Sequence, residues 1–155
     1  MDFHSANKGH FDQIIAMVAS PEELYLFHPN GVYPLDHAQL DTLFKERSNL
    51  TVVIDEGEVV GFADLYNVCP QESAFIGNVV VSAQHRGKGV GKGLTQYMCE
   101  VCINQYGATP HLSVFNVNTR ALLLYSALGF KPYSVEQRVN LQEEPVALIH
   151  MKYEQ

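Results

Sequence analysis

The chain has 155 residues, enough for one compact domain, with 46% apolar and 17% charged residues, a balance that excludes a disordered or low-complexity chain. Its net charge of -7 gives no counterion-release gain on phosphate backbones and argues against general nucleic-acid binding. The same charge mildly favours amines or basic peptides as partners.

The N-terminal stretch Met1-Asp2-Phe3-His4 has neither a basic nor an apolar leader region. No apolar run approaches the roughly 20 residues of a membrane span. Three cysteines, Cys69, Cys99 and Cys102, form an odd set that reads as reduced thiols. A cytoplasmic protein without a membrane segment is expected.

In chain order, Phe11, Ile14, Ile15 and Val18 fall at helical spacing, predicting a helix over 8–18 that Ser20-Pro21 ends. A Pro- and aromatic-rich segment follows over 22–34. Asp36 then reads as the N-cap of a helix carrying Leu40, Leu43 and Phe44. Leu50 to Ile54 and Val59 to Tyr66 read as strands around the turn Asp55-Glu56-Gly57. Phe75 to Val81 is a third strand. A helix is predicted over 90–106, ended by Gly107. A strand over 111–115, a helix over 119–128 ended by Gly129, and strands over 134–141 and 146–152 complete the chain. This order predicts an α/β (α+β) sheet with helices packed on it, in a single domain over 1–155.

The chemistry concentrates in Gln84-His85-Arg86-Gly87-Lys88-Gly89-Val90-Gly91. Alternating glycines between a strand and a helix permit close ligand approach. The unpaired N–H groups and positive dipole end of the helix then favour phosphate oxygens. Arg86, Lys88 and Lys92 add cations. A tight turn that uses glycine only for packing is the other reading. The P-loop spacing fails, because Arg86 stands where its first glycine belongs and Gly93 follows Gly91-Lys92. The dinucleotide fingerprint fails as well, at Lys92 and at Leu94.

Arg86-Gly87-Lys88-Gly89-Val90-Gly91 does resemble the Arg/Gln-x-x-Gly-x-Gly/Ala pattern of the GNAT superfamily of acyl-CoA-dependent N-acyltransferases. Gly77-Asn78-Val79-Val80-Val81-Ser82 resembles the strand before that loop. Asn116-Val117-Asn118-Thr119-Arg120-Ala121 with Leu124-Tyr125-Ser126-Ala127-Leu128-Gly129-Phe130 resembles the family's second block. The likeness is densest over 75–133 and only positional before residue 45.

The resemblance implies the GNAT fold: a central, mostly antiparallel mixed sheet of about six to seven strands with splayed central strands, flanked by about four helices. It implies acetyl-CoA as co-substrate and no metal. The acetyl group would pass directly to a primary amine of a small molecule or peptide, within a ternary complex. Binding would fall to His85, Arg86, Gly87, Lys88, Gly89, Val90, Gly91 and Lys92 at the pyrophosphate, and to the backbone of Val79, Val80 and Val81 along the pantetheine arm. Asn118 matches the family asparagine, although helix capping explains it equally well; Asn116 is a further candidate. Tyr125 matches the tyrosine that protonates the departing thiolate, or is an aromatic core residue beside Phe130. Dimers are frequent in the family, which leaves room for a homodimer.

Two positions depart from the pattern. Phe75 and Gly77 stand where some members carry a glutamate base, and neither can take a proton. Glu72, Asp64, His111 or ordered water are the substitutes the sequence offers. Tyr25, Phe27 and Tyr33 are candidates for the acceptor wall or for a small satellite core. Cys99-x-x-Cys102, placed mid-helix, reads as two small apolar residues rather than a redox pair. No histidine spacing suggests a metal site. A non-catalytic module that binds or senses acyl-CoA, or serves as an interaction surface, is the alternative function.

Overall fold

A computed structural model describes residues 1–154 as one seven-stranded sheet in the order β1-β2-β3-β4-β5-β7-β6. The strands are β1 (Asp2–Ser5), β2 (Ser48–Asp55), β3 (Glu58–Cys69), β4 (Ser73–Val81), β5 (Thr109–Phe115), β6 (Phe130–Val139) and β7 (Pro145–Tyr153). The helices are α1 (Phe11–Ala16), α2 (Pro21–Phe27), α3 (His37–Glu46), α4 (Val90–Tyr106) and α5 (Thr119–Leu128). Only β4 and β5 run parallel; every other neighbouring pair is antiparallel.

Each face of the sheet buries its own core. Leu94, Met98 and Cys102 of α4 pack on Val53, Leu65, Ile76 and Leu112. On the other face, Ile14, Leu24 and Leu40 of α1, α2 and α3 pack on Val52, Phe62 and Val80. Cys99 and Cys102 lie inside the first core, and burial pushes both thiols up to about 12, leaving them unreactive.

The elements expected from residue 36 onward are present, several of them longer than periodicity indicates. Asp36 caps α3 by accepting from the Gln39 N–H at 3.0 Å. Two N-terminal elements differ from expectation. Strand β1 has four residues and too little alternation to announce itself; it forms because β2 offers an unpaired edge. Helix α1 ends before Ser20-Pro21 as expected, and the same dipeptide starts α2, over a segment not expected to be helical. The Ser20 hydroxyl accepts from the Glu23 N–H at 3.1 Å, and Pro21 occupies the first turn, where its missing N–H costs nothing. Glu23 reaches back to accept from the Ala19 N–H at 2.7 Å. This is a capping arrangement written as Ser-Pro-Glu-Glu.

Two irregularities in β4 open the centre of the sheet. The β4–β5 ladder covers Ser73 to Ile76 against Thr109 to Leu112 and goes no further. Beyond it the two strands diverge. Against β3, Phe62 pairs with Val80 and Asp64 with Gly77, so β4 carries one extra residue. Asn78 sits in this bulge at φ +50°. A bulge leaves backbone groups unpaired and turns the strand; neither Asn78 nor Val79 has a register partner on either side.

Candidate active site

The divergence of β4 and β5 opens a cavity of about 570 Å³. One wall is β4, through Val79, Val80 and Val81. The floor is the glycine-rich turn with the start of α4, through Arg86, Gly87, Gly89, Gly91 and Lys92. The third side is α5, through Asn118, Arg120, Ala121, Leu124 and Tyr125. Glu23, Leu26 and Phe27 of α2 close the rim.

The floor is built for an anion. Gly87 and Gly89 adopt left-handed φ values of +76° and +86°, where a side chain would be strained, and nothing lies within 4 Å of the Cβ either would carry. Gly89 is the N-cap of α4 and offers no capping side chain, and the first turn holds no acid. The N–H groups of that turn therefore face the cavity without a protein partner, at the positive end of a 17-residue helix. These features fit a pyrophosphate. Arg86 stands beside them, yet it is already engaged. Its Nε donates to the Val81 carbonyl and its Nη2 to Glu23 Oε1, both at 3.2 Å.

Tyr125 is buried against Phe130, with ring centroids 6.1 Å apart, and it also lines the cavity. Burial pushes its phenol up to about 12, so it keeps its proton at neutral pH. Asn118 begins α5, and its carbonyl accepts from the Leu122 N–H. Its side chain makes no capping bond and lines the cavity.

Several sequence candidates lie elsewhere. His85, Lys88 and Val90 do not line the cavity. Val90 belongs to the core under the sheet, while His85 Nδ1 is buried without a partner. Asn116 is occupied as a clamp, its Oδ1 accepting from the Ala147 N–H at 2.9 Å. Among the aromatics of 22–34, only Phe27 reaches the cavity. Tyr25 stacks on Phe115 at 4.7 Å and donates to the Val139 carbonyl. Tyr33 donates to the Ala19 carbonyl.

Sequence reasoning passed over Glu23, Leu26, Arg120, Ala121 and Leu124. On α2, Glu23, Leu26 and Phe27 share one face at i, i+3, i+4. On α5, Asn118, Ala121 and Tyr125 share one face at i, i+3, i+7. The α5 face could have been read from its period. The α2 face stays hidden as long as Pro21 reads only as a break.

The three carboxylate and imidazole substitutes for a strand glutamate are all engaged. Asp64 is fully buried. It accepts from Arg47 Nη1 at 3.1 Å and from Asn78 Nδ2 at 2.7 Å. Burial outweighs the nearby Arg47 guanidinium and pushes its carboxyl up to about 7. His111 Nδ1 lies 3.1 Å from the Tyr133 hydroxyl, and burial with Lys152 nearby lowers its proton affinity. Glu72 sits in the β3–β4 turn and accepts from the Cys69 thiol.

A model of the acetyltransferase (GNAT) family matches residues 15–130. Mycothiol acetyltransferase of Jonesia denitrificans is 30% identical over 142 residues, covering 87% of this chain and 44% of that protein. The chain spans less than half the length of the curated relatives it matches. Among solved structures, smu.2055 from Streptococcus mutans UA159 superposes with a TM-score of 0.82 over 99% of each chain, at 19% identity. YncA from Salmonella typhimurium, solved with its cofactor acetyl-CoA, superposes with a TM-score of 0.73 at 17% identity, over 99% of this chain and 93% of that one. At these identities the structural likeness concerns the fold. The family model covers most of the chain, and the glycine-rich turn, the splayed strands and the α5 face all lie within its span: the protein belongs to the acetyltransferase (GNAT) family.

Proposed function

We propose that the whole chain is one acetyltransferase domain that moves an acetyl group from acetyl-CoA to a primary amine of a small molecule or peptide. Both substrates would be bound together, with no covalent enzyme intermediate. The observation that carries this reading is the convergence of three independent features on one cavity: an uncapped helix start with left-handed glycines, an unpaired strand bulge, and a buried protonated phenol.

Each feature has a task. The first turn of α4, with Lys92 and Arg86, holds the pyrophosphate. The divergent edge of β4 pairs with the amide-bearing arm of the co-substrate. An N–H within Val79–Val81 polarises the thioester carbonyl, a role in which a preorganised donor has a large effect on rate. The neutral amine attacks the carbonyl carbon, the carbon–sulfur bond breaks, and Tyr125 donates its proton to the departing thiolate. Asn118 offers its amide to the arm. Phe27 forms part of the boundary towards the acceptor.

Thiol release from acetyl-CoA, measured against polyamines, amino acids, aminoglycosides and peptides, tests the reading. Turnover with at least one amine is expected. Tight acetyl-CoA binding with no turnover on any amine would replace it with the non-catalytic binding module.

A further inference from the structure

Past the last β4–β5 ladder couple, Ile76 with Leu112, the next residues are Gly77 and Ser113. They flank the apex where the strands part. A Cβ on Gly77 would lie 2.7 Å from the Tyr66 ring and 2.8 Å from Arg47 Nη1. Strand β4 therefore has no room for a carboxylate there. The space holds Arg47 stacked over Tyr66, 4.3 Å from its ring centroid. Arg47 cannot accept a proton at neutral pH, and Asp64 beneath it is sealed from any substrate.

Ser113 stands on the other side of that apex. Ser113 Oγ lies 2.7 Å from His150 Nδ1, and His150 Nε2 lies 2.9 Å from Glu136 Oε1. With Nε2–H donating to Glu136, Nδ1 is left to accept the Ser113 proton. The strands fix this alignment, since Ser113 pairs directly with His150 across β5 and β7, and His150 with Ser134 across β7 and β6. Ser113 is half-buried, so its hydroxyl is not sealed from a substrate as Asp64 is.

We propose that Ser113 and His150 form the proton relay that deprotonates the acceptor amine, with Glu136 as the positioning residue for the imidazole. This rests on the acetyl-transfer reading. The ammonium proton passes to the Ser113 oxygen as the Ser113 hydroxyl gives up its own. The Ser113 proton passes in turn to His150 Nδ1. The amine is left neutral with its electron pair free, and the positive charge rests on an imidazolium facing the Glu136 carboxylate. The groups around His150 are Glu136 and Tyr133 from β6 and Ser113 from β5. Beyond these, Arg138 binds Glu136 with Tyr25 nearby, and Lys152 and His111 lie against Tyr133.

The test is thiol release from acetyl-CoA across about pH 6–9.5, with spermidine, glycine and an N-terminal peptide amine as acceptors. For His150→Gln, kcat at pH 7 is expected to fall roughly 10–100-fold, the range of a single acid–base group. The deficit should shrink as the pH nears the amine's own pKa, with the KM for acetyl-CoA within about twofold of wild type. Ser113→Ala should follow the same pattern. Glu136→Gln, on the surface and no threat to folding, should follow it more weakly, by about 3–10-fold. A His150→Gln profile parallel to wild type at every pH would overturn the relay while leaving acetyl transfer standing. Absence of thiol release by the wild-type protein with every amine would remove acetyl transfer and the relay together.

Discussion

The two sides of the diverging strands are built by opposite means. On the donor side, the floor of the cavity is backbone: N–H groups of α4, left-handed glycines and a strand edge without a register partner. On the proposed acceptor side, the groups are side chains bound to one another in two sets, Asp64 with Arg47 and Ser113 with His150 and Glu136. Backbone donors are fixed by the fold and stay unspent until a ligand arrives. Side chains packed against each other satisfy themselves first, so the acceptor side is set by register rather than by motif.

Removing the one cavity side chain suited to the acid role should have the largest effect. Tyr125→Phe deletes only a hydroxyl from a buried ring. It is expected to lower kcat by roughly 10²–10³-fold with little change in the KM for acetyl-CoA. Steady-state kinetics on any accepted amine checks this, and a rate equal to wild type would return Tyr125 to a packing role.

The backbone character of the donor floor can be broken next. Gly89→Val places a β-branched residue at φ +86°. Strain of about 1–3 kcal/mol in the conformation that presents the α4 N–H groups should weaken acetyl-CoA binding by roughly 5–150-fold, measured by calorimetry. The pH profile of kcat should be untouched, so a shifted profile in this variant would blur the contrast between the sides.

The acceptor side predicts a pH effect on stability. The Asp64 carboxyl, raised to about 7 by burial, holds its proton more tightly when folded than its ordinary value of 3.8 allows when unfolded. Between those values the folded state binds more protons, so this contribution is full below about pH 4 and is lost as the pH rises through about 7. Asp64→Asn should flatten the dependence in that window, as read from urea midpoints at pH 5 and pH 8. An unchanged slope would place the titration elsewhere.

The smallest expected effect sits on the rim. Glu23 occupies Arg86 through a partly exposed ion pair, worth about 0.2–1 kcal/mol. Glu23→Gln should free Arg86 and tighten acetyl-CoA binding by roughly 2–5-fold. Weaker binding would show that Glu23 orients Arg86 rather than competing for it.

Legibility in the sequence divides along the same line. The strand-loop-helix carrying Arg86 to Gly91 and the helix carrying Asn118 and Tyr125 read directly from sequence, because their chemistry is local. The α2 rim was missed, since Ser20-Pro21 serves equally as a stop and as a capped start. Only the packed structure shows α2 continuing over the sheet. The same holds for Asn116, whose amide is equally suited to a ligand or to the β7 backbone that takes it.

The sequence alone determined the order of elements from residue 36 onward and the glycine-rich turn before α4, and its family resemblance marked Tyr125, because glycine spacing, helical period and strand composition are properties of neighbouring residues. Only the tertiary structure decided that Gly77 has no room for a base, that Asp64 is sealed under Arg47, and that Ser113 meets His150. Those facts depend on strand register and on a one-residue bulge in β4, and register is chosen by the packing of the whole sheet rather than by any one segment.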